Sequence, residues 1–221
     1  MPDREPDATA RLQSMRQIYS LGGLDESALA GTWLEQFLRW IAEAEAAGIR
    51  EPNAMLFATA DAEGHPSART VLLKGVDEQG FVLYTNHNSR KGRDAAANPH
   101  GSLVFPWIDL QRQIVVCGSL QRLTDEESDA YFATRPRAAQ LGAVASPQSE
   151  VIASRAALET RLAESTERYP EGTPVLRPPH WGGLRVVPAS VEFWQGRPGR
   201  LHDRLRYRRE AADWTVERLA P

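Results

Sequence analysis

The middle of the chain is a succession of short apolar segments, each followed by residues that favour turns. Residues 54–61 (AMLFATAD), 67–77 (SARTVLLKGVD) and 81–86 (FVLYTN) are separated by AEGHP and EQG. Runs of this length, rich in β-branched and aromatic residues and bounded by turn residues, are typical of strands joined by short connections. The sequence therefore predicts a β-meander, and the fold must be built around a sheet that contains it.

Further strand and helix patterns flank this meander. Apolar runs predict strands at 101–107, 111–123, 184–196, 200–209 and 213–221. Helices are predicted at 32–47, 89–98, 124–134 and 153–169, and two of them start with the capping-box pairs Thr32/Glu35 and Thr124/Glu127. We predict an α+β, mainly antiparallel fold, with one barrel and helices outside it. Residues 1–20 are expected to be a mobile arm, and 21–221 a single domain.

Charge and composition exclude several classes of protein. The chain has 26 Lys+Arg against 29 Asp+Glu, whereas a dedicated nucleic-acid binder usually has a basic surplus. No apolar run approaches the ~20 residues that span a bilayer, and the first ten residues lack a signal-peptide pattern. Cys117 is the one cysteine, so a disulfide framework or a cysteine-rich metal site is excluded. We expect a cytoplasmic protein that binds no metal, nucleic acid or membrane.

A local basic cluster begins at RPGRLHDR, residues 197–204. If this segment is a strand, Arg200, His202 and Arg204 share one face because strand side chains alternate. Two guanidinium groups and an imidazole on one face indicate a site for a compact anion, and a histidine suits proton transfer near neutral pH. The alternative is a solvated edge strand whose charges block aggregation.

A second candidate site lies where a predicted strand passes into a helix, at YTNHNSRKG (84–92). Ser89 is in position to cap the helix, which puts Arg90 and Lys91 in its first turn. Cations there oppose the helix dipole, which favours negative charge. A phosphate held by the free N–H groups and both cations would resolve that conflict. The alternative is an ordinary exposed Arg-Lys pair.

Two further pairs of polar residues are weaker candidates. Arg69 and Lys74 end an apolar strand with opposite parity, so a bulge or a subunit interface is needed to bring both to one ligand. Tyr131 and Arg135 are spaced i, i+4 on a predicted helix and could share one phosphate. The alternatives are a core strand with snorkelling ends and a surface helical pair.

From about Arg16 to Pro221, the sequence resembles the pyridoxine/pyridoxamine 5′-phosphate oxidase family, and the matching segments occur in the family's order. The matching segments are EPNAM, RTVLLK, YTN, SRKG, LVFPW, RQ, YFATRPR, QLGA, QS, WGG, EFWQG, RLHDR and ERLAP. The resemblance implies a split-barrel flavoprotein with FMN at a homodimer interface. It also implies that residues of both subunits meet at each flavin.

By matching positions, the resemblance implies a set of ligand contacts. Contacts to FMN would come from Arg69, Val71, Lys74, Tyr84, Thr85, Arg90, Lys91, Gln113, Gln148, Ser149, Trp194 and Arg204. The substrate phosphate would fall to Lys74, Tyr131 and Arg135. Arg200 and His202 would lie over the pyridine ring as catalytic residues, and Arg16 and Tyr19 would belong to a segment that covers the substrate.

The chain departs from the family pattern at two positions near these contacts. Ala139 stands where the family often has a serine that donates to the substrate phosphate, and Val144 replaces a common tryptophan. One neutral hydrogen bond is worth about 0.5–1.5 kcal/mol net. The loss of the serine is therefore expected to weaken substrate binding without abolishing it.

The activity implied by the resemblance is oxidation of pyridoxamine or pyridoxine 5′-phosphate at C4′ to pyridoxal 5′-phosphate. A hydride would pass to flavin N5, and O2 would take up the electrons to give hydrogen peroxide. One alternative is a phenazine-pathway flavin oxidase on the same fold, which GIREP (48–52) and Ala139 favour slightly. Another is a non-catalytic carrier of flavin or pyridoxal phosphate, against which the presence of both Arg200 and His202 argues.

Overall fold

A computed structural model describes residues 8–211 and 213–221. Its helices are α1 (Ala8–Ser14), α2 (Trp33–Ala46), α3 (Arg90–Ala97), α4 (Asp125–Thr134), α5 (Arg137–Ala145) and α6 (Arg155–Arg168). Its strands are β1 (Ala54–Ala60), β2 (Pro66–Leu72), β3 (Gly75–Asp77), β4 (Gly80–Asn86), β5 (His100–Trp107), β6 (Arg112–Arg122), β7 (Trp181–Gln195), β8 (Asp203–Glu210) and β9 (Asp213–Arg218). A short 3-10 turn, Pro198–Arg200, precedes β8.

The strands form one sheet in the order β2-β1-β5-β6-β7-β4-β3, with β8 paired to β7 and β9 paired to β8. The described strand pairs are antiparallel. The prediction of an α+β, mainly antiparallel fold is therefore confirmed.

Strand β7 is where the sheet divides. Trp181 to Val186 pairs with β4, whereas Ser190 to Gln195 pairs with β8, and β6 runs along both halves. Pro188 lies between the halves, where one ladder has ended and the other has not begun. Opposite it, Gly118 approaches Val187 so closely that a Cβ would lie 2.0 Å from the Val187 carbonyl oxygen. This fork divides the sheet into two branches, which carry different groups of polar residues.

Helix α2 covers the barrel core as its sequence predicts. The Thr32 hydroxyl accepts from Glu35 N and the Glu35 carboxylate accepts from Thr32 N, which completes the predicted capping box. Phe37, on the buried face, lies 5.0 Å from the Phe81 ring and 5.2 Å from the Phe105 ring. Burial of each such ring contributes about 1.5–3 kcal/mol, so packing fixes α2 against β4 and β5.

The predicted strand at 67–77 is two strands. β2 ends at Leu72, and β3 begins at Gly75 after two residues outside the ladder. Helix α5 was not predicted, because Pro136 ends the pattern of α4 and the short segment after it contains Gly142. Pro136 occupies the N-cap position of α5, where its missing N–H costs nothing.

The prediction that Arg200, His202 and Arg204 share a strand face is wrong. β8 begins only at Asp203, and Arg200 lies in the preceding 3-10 turn. Pro198 fixes its own φ, and Gly199 and Arg200 both have positive φ, +67° and +63°. The left-handed pair bends the chain before the strand starts, so strand alternation applies to Arg204 but not to the other two.

Part of the predicted N-terminal arm lies outside the described residues, namely 1–7. Residues 8–20 contain α1, and none of its side chains is buried. No helix in the described part of the chain combines the length and the apolar character needed to cross a bilayer.

Candidate functional site

A cleft of about 1050 Å³ opens between β2, β4, α3, α5 and the loop that follows α5. Among its lining residues are eleven of the residues predicted to bind ligand: Arg69, Val71, Lys74, Tyr84, Thr85, Arg90, Lys91, Tyr131, Arg135, Gln148 and Ser149. We call it the cationic cleft. Five of these side chains are cationic, and over residues 8–211 and 213–221 no Asp or Glu lines it.

The break between β2 and β3 explains how Arg69 and Lys74 can both reach one cleft, although alternation along a single strand would put them on opposite faces. Lys74 lies in the two-residue gap, where alternation does not apply, and both residues line the cleft. Arg69 donates to Phe57 O at 2.9 Å and to the Thr59 hydroxyl at 2.8 Å. Asp94 lies 3.9 Å from its guanidinium, at the edge of ion-pair range. These contacts orient Arg69 while leaving the cleft cationic.

Lys91 is a buried cation at the start of α3. Its Nζ donates to Gln148 Oε1 at 2.9 Å and to the Ser89 hydroxyl at 3.2 Å. Burial, with Arg69 nearby, lowers the pKa of Lys91 to about 8. Ser89 is at the N-cap as predicted, but its hydroxyl donates to Asn86 O and makes no capping bond. The helix start thus offers uncapped N–H groups beside an ammonium, as an anion site requires.

Tyr131 and Arg135 meet in the cleft, although not as a helical pair. Arg135 is the C-cap of α4, with extended backbone angles, so the predicted i, i+4 face is wrong. Tyr131 stacks on Tyr84 with ring centroids 3.8 Å apart. The Arg135 guanidinium lies over Trp181, 4.5 Å from the ring centroid. Trp181 was assigned no role from the sequence, although the WGG segment contains it.

A second group of predicted residues lies on the other branch of the fork. Tyr19, Trp194 and His202 form a cluster of rings, here called the Tyr19 cluster. The ring centroid of His202 lies 4.6 Å from that of Trp194, and the ring centroid of Tyr19 lies 5.9 Å from that of Trp194 and 5.6 Å from that of His202. Trp194 pairs with Gln113 on β6 and with Arg204 on β8. Residues paired across strands share a face, so Gln113, Trp194 and Arg204 lie in one row across the sheet, here called the strand row.

His202 is held in a defined state within this cluster. Its Nδ1 accepts a hydrogen bond from Arg197 N at 3.1 Å. An acceptor nitrogen carries no proton, so a neutral His202 has its hydrogen on Nε2. The Nε2–H group can therefore donate one hydrogen bond to a ligand, on the side of the ring away from the backbone that fixes it.

The two arginines of the basic cluster have different surroundings. Arg204 makes two hydrogen bonds to the Glu192 carboxylate, at 2.7 and 3.0 Å, and one to Ala220 O at 2.9 Å. The bond to Glu192 raises the pKa of Arg204. Arg200 is exposed in its strained turn. Arg16 is also exposed, and its Nε donates to Gln13 O, a contact within the arm.

The predicted site is thus in two parts on one chain. None of Gln113, Trp194, Arg200, His202 or Arg204 is among the described residues that line the cationic cleft. The cleft combines five cations with stacked tyrosine rings, whereas the other group combines an imidazole, two aromatic rings and Arg204. One of the two departures from the family pattern lies in the cleft: Ala139 lines it. Val144 packs against a small apolar cluster instead.

The residues of the cleft suit a ligand that bears phosphate. Arg135 has a buried guanidinium nitrogen, NH1, with no hydrogen-bond partner in the described chain. A buried donor left unpaired costs about 1–3 kcal/mol, which an anion in the cleft would recover. Burial also removes water from Lys91 and Arg69, which lowers the pKa of both cations. The donor set fits a flavin mononucleotide, whose terminal phosphate needs cations and N–H groups.

Comparison with known proteins agrees with these features. Residues 41–169 match the family model described as pyridoxamine 5′-phosphate oxidase. Residues 181–221 match the pyridoxine 5′-phosphate oxidase C-terminal dimerisation region. The second match covers β7, where the sheet forks, and β8, so it includes Trp194 and Arg204.

Three similar proteins place the chain more closely. The pyridoxine/pyridoxamine 5′-phosphate oxidase of Frankia alni is 60% identical over 210 residues, 93% of this chain and 87% of that protein. The protein of the same name from Streptomyces avermitilis is 55% identical over the full length of both chains. The crystal structure of PhzG from Burkholderia lata 383, with tetrahydrophenazine-1-carboxylic acid, gives a TM-score of 0.84 at 32% identity and covers 90% of this chain and 98% of that one. The chain belongs to the pyridoxine/pyridoxamine 5′-phosphate oxidase family.

Proposed function

We propose that this protein oxidises pyridoxamine 5′-phosphate and pyridoxine 5′-phosphate to pyridoxal 5′-phosphate, with FMN as cofactor and dioxygen as electron acceptor. The observation that carries the proposal is the cationic cleft with its unpaired Arg135 nitrogen, in a chain 60% identical to a protein named for this activity. The cytoplasmic location expected from the sequence stays a prediction.

Two ends of the cleft hold two phosphates in this proposal. Arg69, Arg90 and Lys91, together with the first turn of α3, bind the FMN phosphate. The remaining flavin contacts are Val71, Lys74, Tyr84, Thr85, Gln148 and Ser149 in the cleft, and Gln113, Trp194 and Arg204 in the strand row. Lys74, Tyr131 and Arg135 bind the substrate phosphate.

A homodimer would complete each site. The match to the family's dimerisation region supports a dimer. We infer that the Tyr19 cluster and strand row of one subunit face the cationic cleft of its partner, because the flavin contacts inferred from the family are divided between these two places.

In this proposal, the side chains of the protein orient the substrate, stabilise its developing charge and donate hydrogen bonds to it. FMN, when bound, would supply the redox chemistry between the C4′ carbon and dioxygen. Arg200 lies over the pyridine ring and stabilises charge that develops there. His202, fixed by Arg197 N, presents its Nε2–H group to the substrate as a hydrogen-bond donor. Tyr19 packs on His202 and helps to exclude water.

Purification and assay test the proposal directly. We expect a yellow protein that takes up FMN in preference to FAD, with about one flavin per chain, because the cation set suits a terminal monophosphate. Under oxygen it should convert both phosphorylated substrates and release hydrogen peroxide. Absorbance spectra, flavin quantification and a peroxide assay measure this. A colourless protein that ignores added FMN would contradict the whole assignment.

Binding of FMN should weaken in alkali because Lys91 must be charged to hold a phosphate. The pKa of Lys91 in the free protein is about 8, so its charged form is lost as pH rises through that value. From about pH 7 to about pH 9, the dissociation constant for FMN should rise about tenfold. The Lys91→Arg variant, which stays charged, should show a much flatter profile in the same fluorescence titration. Equal profiles would exclude this role for Lys91.

A phenazine-pathway oxidase is the second candidate, because the PhzG structure covers nearly all of this chain's fold. The discriminating feature is the group at Lys74, Tyr131 and Arg135, which binds a second phosphate in the main proposal. Inorganic phosphate should compete with substrate if that group is a phosphate site. Turnover of tetrahydrophenazine-1-carboxylic acid, the compound in the PhzG structure, with no turnover of pyridoxamine 5′-phosphate would favour the second candidate.

A further inference from the structure

Arg135 differs from the other half-buried arginines in what holds its guanidinium. Arg204 is held by Glu192, and Arg177 by Asp125 and Asp129. For Arg135, the contacts in the described chain are two aromatic rings: Trp181 at 4.5 Å and Phe132 at 5.5 Å. A carboxylate would neutralise the charge before a ligand arrived, whereas an aromatic face attracts the cation and leaves its N–H groups free.

Trp181 is itself rigidly placed. It is 6% exposed and lies edge-on to Phe132 at 5.0 Å. Its ring is almost parallel to those of Tyr84 and Tyr131, within 10° and 3°. Trp181 is the first residue of β7, and it pairs with Asn86 of β4. The Arg135 backbone, by contrast, has already left α4 in an extended conformation. The ring and not the helix therefore determines where this guanidinium lies.

We propose that Trp181 is a positioning residue for substrate binding: its ring holds Arg135 in place, charged and unpaired, for the substrate phosphate. The inference rests on the proposed function, because it takes Arg135 as a phosphate contact. An arginine side chain left free would have to be ordered when the ligand binds, at a cost in affinity. Trp181 orders it beforehand and contributes to affinity without touching the phosphate.

The test is a double-mutant cycle read by ligand binding. FMN-loaded protein is titrated with pyridoxal 5′-phosphate, the product, and quenching of flavin fluorescence gives the dissociation constant. Trp181→Leu should raise that constant about tenfold and Trp181→Phe less, since phenylalanine keeps a weaker cation–π contact. In the Arg135→Ala background neither change should have a further effect. The kcat of Trp181→Phe should stay within about twofold of wild type, since ground-state binding alone changes.

Trp40 provides a matched control. Arg112 lies over its ring at the same distance, 4.5 Å, and Trp40 is 3% exposed but does not line the cationic cleft. Trp40→Phe weakens an equivalent contact in the main core. It should lower the melting temperature and leave the dissociation constant for pyridoxal 5′-phosphate unchanged. If Trp181→Leu fails to fold, Trp181→Phe against Trp40→Phe decides the matter.

Three results would overturn the inference. Wild-type affinity in Trp181→Phe and Trp181→Leu would show that the ring does not position Arg135. An undiminished Trp181 effect in the Arg135→Ala background would show that Trp181 acts through another group. Failure of the FMN-loaded wild type to bind pyridoxal 5′-phosphate at all would instead remove the proposed function, and this inference with it.

Discussion

Replacement of Arg135 by alanine should raise the KM for pyridoxamine 5′-phosphate about 10- to 100-fold while FMN stays bound. Arg135 offers a buried nitrogen without a partner, in a cleft with no carboxylate among its described lining residues. A hydrogen bond to a charged group is worth about 1.5–3 kcal/mol, and each 1.4 kcal/mol is a factor of about ten. Steady-state kinetics at saturating FMN measure the change.

Two variants on the same segment serve as controls for Arg135. Arg137 donates to Thr173 O and Pro170 O, outside the cleft, so Arg137→Ala should leave KM unchanged even if it lowers stability. Ala139 lines the cleft, and Ala139→Ser adds a donor that should lower KM modestly or leave it unchanged. If unphosphorylated pyridoxine is turned over as well as its phosphate, the assignment of Arg135 to a phosphate is wrong.

Local signals in the sequence were sufficient for much of the fold. Thr32 and Thr124 each form the predicted capping box, because that motif depends on residues three apart. Short apolar runs bounded by turn residues placed β1 and β4 correctly, because that signal is also local. The 3-10 turn before β8 was missed because a run of charged residues resembles an edge strand. Pro198 and Gly199 determine the bend, and their signal was outweighed by the charge pattern.

The site was predicted in composition but not in arrangement. Cations at Arg90 and Lys91 could be found from their conflict with the helix dipole, which is a local property. The approach of Trp181 to Arg135 is not local, because 46 positions separate them and packing of β7 against α4 brings them together. Likewise, no local pattern reveals that the flavin contacts divide between the two branches of the fork.

Arg200 and Arg204 are only four residues apart, yet only the replacement of Arg204 by leucine should weaken the binding of FMN. Arg204 lies in the strand row beside Trp194 and is held by Glu192, whose side chain is 14% exposed. Arg204→Leu removes a proposed FMN contact and leaves that carboxylate unpaired, which repels an anionic cofactor. The dissociation constant for FMN should rise about tenfold or more, and activity should partly recover at high FMN.

Arg200→Leu should instead keep its FMN and lose kcat/KM by a factor on the order of 100, as when one group that stabilises transition-state charge is removed. Arg200 lies in the strained turn outside the strand row, exposed and free to contact substrate. The loss should therefore persist however much FMN is added. His202→Asn should resemble it more mildly, because asparagine retains a hydrogen-bond donor but places it differently from the Nε2–H group of the imidazole. Flavin titration of each variant, followed by kinetics at saturating FMN, separates the two arginines. Equal loss of flavin in both, or full activity in both, would show that they do not divide the work between cofactor and substrate.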